Sequence, residues 1–246
     1  MKTKPLIAAG LAVAALSLAG TASASNASAS VTLGAFRYEL IDLTPDDGIA
    51  ASFTVSPATY SGSYTATTPG GSSSDAFGPA PGSITFTSST GNGSVSSWAL
   101  PESSQVTTLV QGDLGASFSA VSGRNYDLVL GANSALRISA DYSQQTSLSG
   151  ATASTLTAGA GLSLTLYDSN FDFHSSLVAN SPALALSSGS LSLYAANSSS
   201  GDYYGALAGS ASASIAGVSS PVPEPDSLAL GAVAGLGLLL RRRRRA

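Results

Sequence analysis

Between residues 31 and 220 apolar side chains recur at every second position and never form a sustained stripe at helical spacing, so strands are what this chain has for burying a core. Val31 and Leu33, then Phe36, Tyr38 and Leu40, alternate with a change of phase near Gly34, which predicts a bulge. Ile41 and Leu43 lead into Thr44-Pro45-Asp46-Asp47-Gly48, whose proline, Asx and glycine chemistry predicts a turn, and the chain returns through Ile49, Ala51, Phe53 and Val55. Residues 61–82, rich in Ser, Thr, Gly and Pro, read as a long loop. Ile84 and Phe86, then Gly91-Asn92-Gly93, then Val95 and Trp98 predict a hairpin. Further strands are expected over 106–110, 114–121, 126–130, 136–142, 156–167, 184–186, 191–195 and 203–215. Short strands separated by turn residues predict an all-β domain, an antiparallel β-sandwich or jelly roll. No period of about 20–50 residues points to a solenoid or propeller.

The two ends differ from this body. Residues 1–24 read as a secretory signal, with Lys2 and Lys4 as the charged start, Leu6 to Leu18 as the apolar centre, and Ala22 and Ala24 as the small residues of an A-x-A cleavage site. Residues 25–30 are expected to be a disordered lead-in, and 31–219 the exported domain. Residues 220–227 form a Pro-rich linker containing Pro223, Glu224 and Pro225. Prolines at 221, 223 and 225 fix φ and push their predecessors toward extended backbone, which leaves Glu224 open to recognition. Residues 228–240 are uncharged and have no polar face, so they predict a short apolar helix that seeks lipid. At roughly 1.5 Å per residue such a helix spans about 20 Å, against about 30 Å of hydrocarbon. Arg241, Arg242, Arg243, Arg244 and Arg245 follow, a charge cluster that stops translocation and marks its side of the membrane as cytoplasmic.

Motif, order and terminal position together resemble the PEP-CTERM sorting signal of Gram-negative bacteria: Val222-Pro223-Glu224-Pro225, an apolar helix, then an arginine cluster. The resemblance covers only the tail. It implies recognition at the Pro-Glu-Pro triplet by exosortase, a membrane-embedded protease-transpeptidase, and a setting of exopolysaccharide and biofilm formation. Such tails occur on ectodomains of unrelated kinds, so the resemblance implies a route and a setting rather than an activity.

Charge narrows the partners of the exported domain. Both lysines lie in the signal and five of the eight arginines in the tail. Arg37, Arg124 and Arg137 remain against twelve carboxylates, a formal charge of −9. Nucleic acid and anionic membrane surfaces are disfavoured, whereas cations and neutral polysaccharide are acceptable. There is no cysteine, hence no disulfide and no thiolate chemistry.

Residues able to move protons are few. His174 is the single histidine, and neither G-x-S-x-G nor H-E-x-x-H occurs, so it reads as an exposed loop histidine. A hydrolase remains a weaker reading, needing two carboxylates brought about 5–10 Å apart in a cleft. Asp168, Asn170 and Asp172 copy the first three ligand positions of a calcium loop, but Phe173 replaces the turn glycine and Ala179 the bidentate glutamate. Asp42, Asp46 and Asp47 form a second oxygen-rich turn. Solvated Asx turns are expected at both, with Ca2+ as the weaker alternative and no cofactor as the working expectation. Trp98, Tyr60, Tyr64, Tyr126, Tyr142, Tyr203 and Tyr204 are candidates for a sugar-stacking platform, though such rings more often pack in a core. Thr65/Thr67, Thr85/Thr87 and Thr155/Thr157 read as ordinary strand threonines. The expectation is a non-enzymatic protein of the cell surface or exopolysaccharide matrix, with a lectin-like carbohydrate-binding module as its rival.

Overall fold

The computed structural model describes residues 26–88, 91–99, 102–111, 115–150 and 153–218; the signal with Ala22 and Ala24, the linker, the apolar run 228–240 and the arginine cluster lie outside them. The described chain forms thirteen strands: β1 (Asn26–Asp42), β2 (Phe53–Val55), β3 (Thr59–Thr68), β4 (Gly71–Phe77), β5 (Gly82–Ser88), β6 (Gly91–Ala99), β7 (Glu102–Gln111), β8 (Ser117–Leu130), β9 (Ser134–Ser149), β10 (Thr155–Tyr167), β11 (Phe173–Asn180), β12 (Leu186–Asn197) and β13 (Tyr203–Ala216). One antiparallel sheet has the order β12-β9-β1-β7-β6-β5 and the other β11-β10-β13-β8-β3-β4, with β2 continuing along β8 beyond β3.

Alternation assigns the faces. Ala27, Ala29, Val31 and Leu33 of β1 point to the same interior as Leu136, Ile138 and Ala140 of β9. Leu162, Leu164 and Leu166 of β10 and Leu207, Ala211 and Ile215 of β13 face them from the other sheet, in one shared apolar core. A sandwich of two antiparallel sheets accounts for that arrangement. Each fully buried leucine contributes roughly 1.5–3 kcal/mol. The predicted bulge is present: the pairing of β1 with β9 shifts between Leu33 and Phe36. Phe36 then crosses the interior onto Gly209 of β13, where a Cβ would stand 2.8 Å from its Cε1.

Several boundaries differ from expectation, each for a physical reason. Residues 26–30, expected as disordered lead-in, are the first five of β1, paired to β7 on one side and β9 on the other. Ala27 and Ala29 are buried, and Ser28 Oγ meets Ser147 Oγ at 2.8 Å. The expected loop 61–82 holds most of β3 and all of β4, because Tyr60, Gly62, Tyr64 and Ala66 turn inward. Gly91-Asn92-Gly93 is strand rather than turn, since the hairpin closes at Ser88↔Gly91. Ile49 lies outside any strand and is exposed. The strands expected at 114–121 and 126–130 are one, β8, whose inward positions at the join are polar.

Those polar positions are Ser122 and Arg124, both fully buried. Ser122 Oγ donates to the Ser96 carbonyl at 2.6 Å. Arg124 Nη2 donates to the carbonyl of Gly34 in the bulge, and its guanidinium lies 4.4 Å over the Phe36 ring. Nη1 is 3.4 Å from Glu102 Oε1, to which the Tyr126 hydroxyl also donates. Burial pushes Arg124 below the usual guanidinium value, opposed by the Glu102 charge. Burial, with Glu102 as the next cause, pushes the Tyr38 phenol up to about 12 and raises Tyr126 as well.

Candidate functional site

At the end of the second sheet where β10 turns into β11, the loop is built on Asp168. Its Oδ1 accepts the backbone N–H of Asn170 at 2.8 Å and of Asp172 at 3.0 Å. Its own N–H donates to the Asp172 carbonyl, and its carbonyl accepts from Phe171, each at 3.0 Å. This closure holds Phe171 at φ 63°, a left-handed conformation that costs a bulky residue roughly 1–3 kcal/mol. The ring is 69% exposed and stacks on Tyr204 at 5.0 Å between centroids. An offset pair of this kind contributes about 0.5–1.5 kcal/mol beyond its burial.

Register extends the cluster across the sheet. Phe173 of β11 pairs with Tyr167 of β10, Tyr167 with Tyr204 of β13, and Tyr204 with Val129 of β8. The four form one cross-strand row, and because Leu166, Tyr203, Leu128 and Leu130 face the core, the row faces outward. Phe173 meets Tyr167 edge-on at 6.4 Å and is 65% exposed. Beside the row lies an open, mainly apolar cleft of about 320 Å³, lined by Tyr167, Phe171, Tyr204, Val129, Ala206 and Asp127 among others. The Asp127 carboxylate is exposed and, among the described residues, engaged in no hydrogen bond, whereas its backbone N–H donates to Ser56 Oγ at 2.8 Å.

The structure sorts the residues singled out above. Tyr60, Tyr64, Tyr142 and Tyr203 are buried in the sandwich. Tyr126 is half-buried against Phe36, 5.4 Å between centroids. Trp98 is 43% exposed on β6 of the other sheet, so of the seven only Tyr204 belongs to the outward row. Tyr167, Phe171 and Phe173 were not anticipated; the signal for them is the outward phase of Tyr167 and Tyr204 beside the inward leucines. His174 lies on β11 rather than in a loop, exposed, with its ring 4.4 Å from that of Tyr203. The Asp168 carboxylate serves backbone N–H groups. In the other turn, Asp42 accepts from the Thr44 N–H, and Asp47 from the Thr44 hydroxyl and the Ile49 N–H. The Thr44 hydroxyl bond holds the Asp47 carboxyl below the usual range. Among the described residues no three His, Asp or Glu side chains converge as a metal site. The Thr-x-Thr pairs are exposed on β3, β5 and β10, which are not neighbours. Pro223, Glu224, Pro225 and Arg241 to Arg245 lie outside the described residues.

No curated protein matches the chain. Among solved structures, one described under "Structural basis for the promiscuous specificity of the carbohydrate-binding modules from the beta-sandwich super family" matches at 8% identity. The match covers 76% of this chain and 97% of that one with a TM-score of 0.12, and carries no argument. The family described as PEP-CTERM protein-sorting motif matches residues 221–245. The tail of this chain is therefore a PEP-CTERM protein-sorting motif, which implies processing by exosortase and a secreted, surface-sorted protein of a Gram-negative bacterium.

Proposed function

We propose that the protein is a non-enzymatic component of the cell surface or extracellular matrix, delivered by exosortase and working among exopolysaccharide in a biofilm. The precursor is held in the inner membrane by the apolar run 228–240, with Arg241 to Arg245 on the cytoplasmic side. The observation that carries this reading is the sorting motif, which begins at residue 221, three positions after the buried Val218. Glu224→Ala tests it in the producing cell. Export continues, the apolar run and arginines still stop translocation, and the mutant stays in the inner membrane with its tail uncut. Mass spectrometry of membrane and surface fractions reads the outcome. Processing and release like wild type would reduce the triplet to a spacer.

A second reading, a carbohydrate-binding module, is favoured by one observation: the outward row of exposed aromatic rings beside an unengaged carboxylate. Such a module would hold the delivered domain in the matrix without chemistry of its own.

A further inference from the structure

We propose that the row Phe173–Tyr167–Tyr204, with Phe171 above it and Asp127 beside it, is a binding site for a neutral pyranose polysaccharide; this rests on the carbohydrate-binding reading. Outer positions farther along the same strands carry no aromatic ring: Ser176 and Val178 on β11, Ser163 and Thr165 on β10, Ala208 and Ser210 on β13, Val121, Gly123 and Asn125 on β8. Against that background the aromatic rings are gathered into one row, about 10 Å long over two strand spacings. Hexopyranoses present faces of C–H groups that settle on the electron-rich face of an aromatic ring. Their edges carry hydroxyls, which a free carboxylate accepts in charge-assisted hydrogen bonds. Rings and acceptor are both here, around an open cleft that a chain can cross without threading.

Charge selects among sugars. Asp127, Asp168, Asp172 and Asp202 all lie at this end. Of the three arginines among the described residues, Arg124 points into the core, Arg37 pairs with Asp141 on the other sheet at 2.6 Å, and Arg137 lies 3.8 Å from Glu39 on that sheet. Among the described residues the outer face of the second sheet thus offers no arginine to a uronate or sulfate, and anionic polysaccharide is repelled. Position agrees. β13 runs from Tyr204 to Ala216 toward the sorting motif, so the row stands about 40 Å up the strand from the end that leads to the tail. A site so placed stands at the opposite end of β13 from the residues that lead into the tail.

The test is affinity electrophoresis of the full chain in a polyoxyethylene detergent, since a maltoside headgroup would compete. Native gels contain a β-glucan, a galactomannan, a xylan or, as the anionic arm, alginate. At least one neutral polysaccharide is expected to retard the wild type, and alginate not. Phe171→Ala and Tyr204→Ala, checked for fold by circular dichroism, raise Kd at least roughly tenfold, as loss of an aromatic anchor does. Tyr204→Phe keeps the ring and stays near wild type, and Trp98→Ala, an exposed aromatic elsewhere, changes nothing. Retardation by no neutral polysaccharide overturns the proposal and the carbohydrate reading together. Retardation that survives Phe171→Ala and Tyr204→Ala, or that Trp98→Ala abolishes, overturns the site but leaves that reading standing. Preferential binding of alginate overturns the charge argument. Self-association abolished by Phe171→Ala, without sugar binding, makes the row a contact between copies. Sorting is read separately through Glu224, so none of these outcomes bears on it.

Discussion

Glu102→Gln isolates the charge that faces the buried Arg124. The amide keeps an acceptor for the Tyr126 hydroxyl, so what disappears is the ion pair at 3.4 Å. At that separation two unit charges attract by about 5 kcal/mol for an effective dielectric constant near 20. Glu102 is 26% exposed, so water screens part of it, and the expected loss is about 3 kcal/mol, the low end for breaking a buried pair. Among the described residues the guanidinium then keeps only the Gly34 carbonyl and the Phe36 face, and its Nε and Nη1 already lack hydrogen-bond acceptors there. Arg124→Met removes the buried charge and those unsatisfied donors together while keeping an apolar stem on Phe36. Its cost is expected to be within about 1 kcal/mol, because an apolar replacement of a buried ion is often neutral. Urea unfolding of residues 26–218, followed by far-UV circular dichroism, measures both. With m about 2 kcal/mol/M, Glu102→Gln lowers the midpoint by about 1.5 M and Arg124→Met by about 0.5 M or less. Equal midpoints for Glu102→Gln and wild type, or a larger drop for Arg124→Met than for Glu102→Gln, would refute the reasoning.

Alkaline pH acts on the same cluster. Tyr38 and Tyr126 both have folded pKa values raised above the unfolded phenol value near 10, so their stabilisation is complete below about pH 10 and is lost as pH rises above it, for Tyr38 through about 12. A urea midpoint that stays flat from pH 9 to 12 would contradict this. Gly209→Ala places a methyl against Phe36 and 3.0 Å from Leu33 Cδ2, and is expected to cost about 1–3 kcal/mol by overpacking. Pairing it with Phe36→Leu should recover part of the loss in the same unfolding assay, and no recovery would place the clash elsewhere.

Strands were legible wherever large apolar side chains alternate with small polar ones, as in Leu162, Leu164 and Leu166. They were obscured where the inward residues are small or polar. Ala27 and Ala29 contrast too little with the serines between them to announce a strand. In β3 the inward Gly62 makes room for the Phe77 ring, so one of the four inward positions is written as an absence of side chain. β8 looked broken at Ser122 and Arg124 because a buried arginine is legible only with its partners, and Glu102, Gly34 and Phe36 come from distant parts of the chain. The aromatic row was hidden for a similar reason. Phe173, Tyr167, Tyr204 and Val129 stand on four strands, and only pairing register gathers them. The sorting motif was readable in full, because its recognition depends on a linear order of residues.

The strand order also constrains how the domain comes into being. The first described strand, β1, lies between β7 and β9, and the last, β13, between β8 and β10. A chain emerging from a pore begins with β1, and Asn26 has no neighbours until Gln111 and Ser149 have followed. The second sheet then stays open through its middle until β13 arrives. Hairpins of neighbouring strands, such as β3–β4 and β5–β6–β7, can form early, but neither sheet is complete until its later strands arrive, and the long-range pairings that build the sandwich await large loop closures, the costliest and slowest kind. The domain should therefore cross and wait incompletely folded, dependent on whatever holds it soluble. The sandwich is completed late, only a few residues before the sorting motif emerges.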